Sequence, residues 1–232
     1  MKPSMAERSR AALRTVRERI ERACHRADRD PASVRLIAVS KTFPAERVSE
    51  LLQHGHHLFG ENRVQEALSK IPQVGSGATW HLIGPLQRNK ARHAVGAFEL
   101  IHGVDSPKLA AELDRRAGSA GVRQAILVQL NLAHESTKSG VGEAELWPLL
   151  DAIAEMPHLE LQGLMTIPPP VGRAEESRRW FARLRELRDQ ATARLGRPLP
   201  QLSMGMTADF EVAIEEGATL IRVGRAIFGP RS

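Results

Sequence analysis

Lys41 stands in the stretch "RLIAVSKTFP", directly after a run of residues, Leu36 to Ser40, that reads as a buried strand, and just before a Thr-Phe-Pro turn. A free lysine amine, with a pKa of about 10.4, is neutral in only about one molecule in a few thousand at pH 7. A mouth that desolvates it favours the nucleophilic form, and such an amine attacks an aldehyde. On an open surface the same lysine would simply be solvated. Two small-residue turns late in the chain say what it faces. "LSMGMTADF" offers hydroxyls and close backbone approach at Ser203, Met204, Gly205 and Thr207, and "IRVGRAIFG" offers further donors at Gly224 and Arg225. Both run into helical starts, where backbone N–H groups cradle phosphate. A lysine amine across from a phosphate cradle describes a site for a phosphorylated aldehyde.

The elements that must bring these residues together follow a rhythm. Leu13, Val16, Ile20 and Ala23 recur at helical spacing after a capping box at Ser4 and Glu7, so the first ~25 residues predict an amphipathic helix. After Asp30-Pro31, short apolar runs alternate with helical patterns. The predicted strands are Val34 to Ser40, Leu58 to Gly60, Trp80 to Gly84, Leu100 to Val104, Ala125 to Asn131, Leu161 to Thr166, Gln201 to Met204 and Leu220 to Val223. Eight β–α alternations in 232 residues predict an α/β fold, a single (β/α)8 TIM barrel spanning 1–232 with an extra N-terminal helix. A doubly wound sheet would ordinarily show a glycine-rich dinucleotide turn after an early strand, and "VSKTFP" has no glycine. In a barrel, loops at the carboxyl ends of the strands converge, and phosphate commonly sits after strands seven and eight. Lys41 follows the first strand at that end.

Composition narrows the function classes. The net charge of +6 raises nucleic-acid binding, but the basic residues, mostly arginine, are interleaved with Glu and Asp along helices, and aromatic residues make up 4% of the chain. This is the pattern of solvated helix faces, with no basic-aromatic platform, so no nucleic-acid partner is expected. No apolar run approaches the roughly 20 residues of a membrane helix, and "MKPSMAERSRAALR" lacks the apolar core of a signal peptide, so no membrane partner and a cytoplasmic location are expected. The single cysteine, Cys24, allows no intrachain disulfide. His54, His56 and His57 lack a carboxylate or thiol at ligand spacing and read as a helix terminus closed by Gly55 rather than a metal site.

Six blocks carry a resemblance: "LIAVSKTFP", "FGENRVQEAL", "WHLIGPLQRNK", "VQLNLAHESTKSGV", "LQGLMTIPPP" and "LSMGMTADFEVAIEEGATLIRVGRAIFG". In this order the chain resembles the pyridoxal phosphate homeostasis protein family. The resemblance implies the fold-type III barrel of the alanine racemase N-terminal domain, with Lys41 carrying pyridoxal 5'-phosphate (PLP) as a Schiff base. It further implies phosphate contacts from Ser203, Gly224 and Arg225, and Arg222 facing the pyridine nitrogen. Members are regarded as cytosolic carriers or regulators of the cofactor, without an established reaction. Arg63 and Arg225 stand where other members often have an aromatic and a small or hydroxyl residue, so the contact at position 225 is expected through the backbone.

Three further residues belong to the expected site. Strand alternation sets His81 on one barrel face with Ile83, as a core histidine or one near the ring at the mouth. Asn62 either meets the cofactor's oxygen or caps the next helix. Lys138, in "ESTKSG", reads as a second handle for PLP or a solvated loop lysine. An arginine against the pyridine nitrogen keeps that nitrogen unprotonated and the ring a weaker electron sink. The chain has no tyrosine, the residue alanine racemases use as second base on a second domain. The leading reading is therefore a PLP-binding homeostasis protein, a carrier or buffer serving PLP-dependent apo-enzymes and monomeric. The alternative is a fold-type III enzyme acting on amino acids, a racemase, decarboxylase or lyase, for which His81 is the candidate base.

Overall fold

The computed structural model describes residues 5–133, 135 and 138–230; Ser4 of the expected capping box lies outside them. Eight strands, β1 (Arg35–Val39), β2 (Leu58–Glu61), β3 (Thr79–Leu82), β4 (Leu100–Val104), β5 (Gln124–Leu130), β6 (Leu159–Thr166), β7 (Gln201–Ser203) and β8 (Leu220–Val223), pair in chain order into a closed barrel. All pairs are parallel, and β8 returns to β1 with Ile37 opposite Arg222. Closure excludes the doubly wound sheet.

Helices α1 (Met5–Arg26), α2 (Ala45–Gln53), α3 (Val64–Val74), α4 (Ala91–Ala94), α5 (Pro107–Ala120), α6 (Glu143–Ala154), α7 (Arg178–Leu195), α8 (Phe210–Glu215) and α9 (Arg225–Phe228) surround it. Leu13, Val16, Ile20 and Ala23, the predicted apolar stripe of α1, are all buried. α1 packs against α8 and α9, and Arg19 grips Glu211 with two bonds of 2.9 and 3.2 Å. The helical pattern of "LQRNKARHAV" gives only a 3-10 turn over Arg88–Lys90 and the four residues of α4. Val95 then turns extended and Gly96 takes φ +75°, which stops the helix.

Strand alternation divides the apolar residues between two cores. Ile37, Val39, Leu58, Ile83, Leu100, Leu127, Met165 and Leu220 fill the barrel interior. Their neighbours in sequence, such as Ala38, Phe59, Leu82, Ile101, Ile126, Leu164 and Ile221, pack between strands and helices. On β6, Leu161 and Leu164 both belong to the outer core, which strict alternation forbids. A bulge explains it: Ile126 pairs with Leu161 but Leu127 with Gly163, so Gln162 is the extra residue. No helix among the described residues is long and apolar enough to cross a membrane.

Gly163 has φ +156°, and a Cβ built there would run into the backbone carbonyl of Gln201 on β7. Gly163→Ala is therefore expected to destabilise the barrel by about 2–4 kcal/mol, read from the urea midpoint of the purified protein. An unchanged midpoint would show that β7 moves aside at little cost.

Candidate functional site

Lys41 leaves the carboxyl end of β1 partly buried, and alternation continued past the strand sets it on the interior side with Ile37 and Val39. Its neighbours are fixed from behind. Ser40 donates its hydroxyl to Glu61 Oε1 at 2.6 Å, and Lys70, reaching in from α3, donates to the same oxygen at 2.7 Å and to the Ser40 carbonyl at 2.9 Å. Lys70 also donates to Glu66 Oε1 at 2.7 Å, and Glu66 accepts the Thr42 amide at 2.5 Å. Thr42 has φ +70°, a conformation costly for a β-branched residue, so these bonds hold a strained turn on both sides of Lys41. Burial pushes the Glu61 carboxyl up, against the pull of Lys70 and Ser40. Burial would raise Glu66 as well, but its bonds from Lys70 and the Thr42 amide bring it below the usual carboxylate range.

On the neighbouring strand β8, Arg222 lies inside the barrel at 4% exposure. It donates through Nη1 to Ser203 Oγ at 2.5 Å and through Nη2 to the Thr166 carbonyl at 2.9 Å. It makes no ion pair with any described residue, and burial lowers it to about 10, with Asp209 partly offsetting the loss. The polar contacts run on downward. Ser203 Oγ is 2.8 Å from His102 Nδ1, His102 Nε2 is 3.0 Å from His81 Nδ1, and His81 Nε2 is 3.2 Å from Glu99 Oε1. Glu99 precedes β4 at the amino end of the barrel and is half-exposed, where it pairs with Arg35 at 2.9 Å. His81, Arg35 and burial together set its carboxyl at about 2, the His81 bond lowering it most. Burial lowers both imidazoles, and His102 is further lowered by the charges of His81 and Arg222.

Gly205, Thr207, Gly224 and Arg225 lie with Lys41 and Arg222 at the carboxyl ends of the strands. Arg225 is exposed and opens α9 directly after Gly224, so it offers backbone rather than a buried side chain. Asn62 follows β2 and is half-buried; the N-cap of α3 is Arg63, with no side-chain cap bond, so Asn62 does not cap that helix.

Two sites, Ser203 and Met204, differ from the sequence reading, and His81 takes the first of its two readings, a core histidine. Ser203 keeps its hydroxyl inside the barrel on Arg222 and His102, because the last residue of a strand still obeys alternation, so the hydroxyl is not on the loop. Met204 buries its side chain in the outer core and spends its amide on the Leu220 carbonyl at 3.1 Å, which leaves only its carbonyl for the mouth. His81 is fully buried and points down the barrel, with His102, Ser203 and Arg222 between it and the mouth.

Lys138 is tied to Glu135 at 2.7 Å and to the Pro168 carbonyl at 3.0 Å, which links the loops after β5 and β6. His54 caps α2, while His56 bonds the Leu58 carbonyl at 2.8 Å and is lowered to about 4 by burial. Two features escaped the sequence reading. Lys70 lies within a helical pattern that singles it out in no way, and Glu66 and Lys70 at i, i+4 behind Glu61 are the available signal. His102 was read as part of an apolar strand.

The closed barrel and this mouth define the class. The family model "Alanine racemase, N-terminal domain" matches residues 12–232, and the alanine racemase of Clostridium difficile 630 shares the fold with a TM-score of 0.72 at 14% identity over 96% of this chain and 56% of that one. Nearer relatives are pyridoxal phosphate homeostasis proteins. That of Aquifex aeolicus is 44% identical over 94% of this chain and 96% of its own length, and that of Escherichia coli K12 is 41% identical over 94% and 95%. The structure of PipY from Synechococcus elongatus PCC7942 with PLP bound has a TM-score of 0.81 and 40% identity, covering 91% of this chain and 100% of PipY. The chain belongs to the pyridoxal phosphate homeostasis protein family.

Three histidines buried among the described residues make stability depend on pH. His56, His81 and His102 are all lowered in the folded chain, so below pH 6.5 the unfolded chain binds protons that the folded chain refuses. Stability is therefore full above the unfolded value and falls as pH drops from about 6.5 toward 4, by up to about 1.4 kcal/mol per pH unit for each histidine. Urea midpoints across this range check it; a flat profile between pH 7 and 5 would contradict the placement of these rings.

Proposed function

We propose that this chain binds PLP at the barrel mouth through a Schiff base with Lys41 and serves the handling of that cofactor as a carrier or buffer. The observation that carries the reading is the pairing of a lysine on a clamped turn with a buried Arg222 that has no carboxylate partner among the described residues. A buried cation without a counter-ion is costly, and a ligand with an acceptor atom relieves that cost. The pyridine nitrogen of PLP is such an acceptor. The residues present thus fit the group: Lys41 holds the aldehyde carbon, Arg222 the ring nitrogen, and the backbone at Gly205, Gly224 and Arg225 the phosphate, with Asn62 and Thr207 at the rim. N–H groups in a helix's first turn have no intrahelical acceptor and suit a phosphate. PLP, once bound, supplies an electrophilic carbon that an amine can take up and give back with water as the only other participant.

A carrier needs that reversible bond and an open mouth, and nothing more. An enzyme acting on amino acids needs a second acid–base group opposite Lys41. The chain has no tyrosine, and its candidate base, His81, sits below the mouth, where burial lowers its affinity for a proton. Both observations favour the carrier over the racemase, decarboxylase or lyase reading. The expected setting is cytoplasmic, with the chain acting as a monomer toward PLP-dependent apo-enzymes.

Wild type mixed with PLP is expected to show a near-visible absorbance band that borohydride locks in place, and Lys41→Ala is expected to lose both the band and the locked adduct. Absence of any band in wild type with excess PLP would sink the cofactor reading. A band that survives in Lys41→Ala would move the attachment elsewhere.

A further inference from the structure

The side chains under Arg222 form a hydrogen-bonded file whose direction is dictated by its two ends. Glu99 is ionised and can only accept, so His81 Nε2 must donate to it. A neutral His81 then accepts at Nδ1, and His102 must donate from Nε2. His102 accepts at Nδ1 from the Ser203 hydroxyl, and Ser203 oxygen accepts from Arg222, which can only donate. One arrangement of hydrogens satisfies every link, and each donor hydrogen points away from Arg222 toward Glu99. A proton added at His81 Nδ1 would meet the donor of His102. His102 would have to reverse, and Ser203 would then accept from two donors with its own hydrogen unpaired.

The charged groups that face the file are few. Arg35 on β1 pairs with Glu99 from the amino side, Arg222 on β8 closes the upper end, and Asp209 beyond β7 acts on Arg222. The nearest carboxylate the file offers Arg222 is thus Glu99, four hydrogen bonds away and outside the mouth. Aligned dipoles in a low-dielectric interior polarise one another and act as a distributed counter-charge.

We propose that Glu99, His81 and His102 are positioning residues for Arg222: a one-directional hydrogen-bonded file, running from the amino face to the mouth, that fixes the guanidinium where it meets the ring nitrogen of PLP. This rests on the binding mode proposed above. None of the three touches the cofactor, and their work is done through Ser203. The file also gives a reason for two histidines in a barrel interior that apolar side chains would fill without a desolvation cost.

Two measurements test it. The first uses the protein without PLP: two-bond 1H–15N spectra of histidine-labelled chain at pH 7, assigned with His81→Leu and His102→Leu. Both rings are expected as neutral Nε2–H tautomers; an Nδ1–H form or a tautomer mixture at either ring would overturn the file. The second is a titration with PLP. His102→Leu keeps the space filled but cuts the file, and is expected to weaken PLP binding at least tenfold, while Arg115→Leu, exposed on α5 and away from the file, binds as wild type does. If His102→Leu fails to fold, His81→Leu gives the same reading one link further down. Wild-type affinity in the folded cut variant would overturn this inference alone. Failure of wild type itself to take up PLP would instead remove the binding reading on which it rests, and the tautomers would still report on the file.

Discussion

A buried guanidinium is the constraint on which the site depends. Arg222 is placed inside the barrel by the alternation of β8, one residue above Ile221 in the outer core and two above Leu220 in the inner one. In that position it stays charged and forms no ion pair with a described residue, Asp209 acting on it only in part, so the barrel must supply acceptors or a ligand must. Two of those acceptors are its own: the Ser203 hydroxyl from β7 and the Thr166 carbonyl from the end of β6. Three strands are thereby tied together at the carboxyl end, and the remaining face of the guanidinium is what a cofactor nitrogen would meet.

The adjoining side of the mouth, at β1 and β2, follows a different rule. There the charges are paired and lie outside the barrel, between β1, β2 and α3. Lys70 and Glu61 are almost wholly withdrawn from water, and a buried pair of this kind is costly to break because the survivor is left uncompensated. Its place directly behind Ser40 ties the ends of β1 and β2 to one helix. Thr42 and its left-handed φ are the price of turning the chain so that Lys41 projects at the rim. Rigid support behind a reactive amine and a cation held on the neighbouring strand are what a reversible cofactor site requires.

Much of this was legible in the sequence because it rests on short-range rules. All eight strands were readable from apolar runs between turn residues, with ends within two residues of those observed, and the barrel followed from their number and rhythm. The placement of Lys41, Gly205, Gly224 and Arg225 past the carboxyl ends of their strands was legible because those ends follow from the strand pattern. What was not legible needs the third dimension. Ser203 and Met204 end the predicted seventh strand and open the turn after it, and only alternation and pairing with β8 turn one inward and the other outward. His81 was rightly put on the inner face, but which end of the barrel a ring points to depends on Glu99 and His102, neither adjacent in sequence. The bulge at Gly163 reverses the phase of β6, and no local pattern announces it. Lys70 was hidden because a lysine on a polar helix is ordinarily solvated.

The most direct test of the account is the structure of the chain determined by crystallography after incubation with PLP. The account predicts continuous density from Lys41 Nζ to the aldehyde carbon, the ring nitrogen against the Arg222 guanidinium, and the phosphate over the backbone of Gly205 and Gly224. PLP bound at another lysine, or seated in the mouth with its ring nitrogen turned away from Arg222, would contradict it.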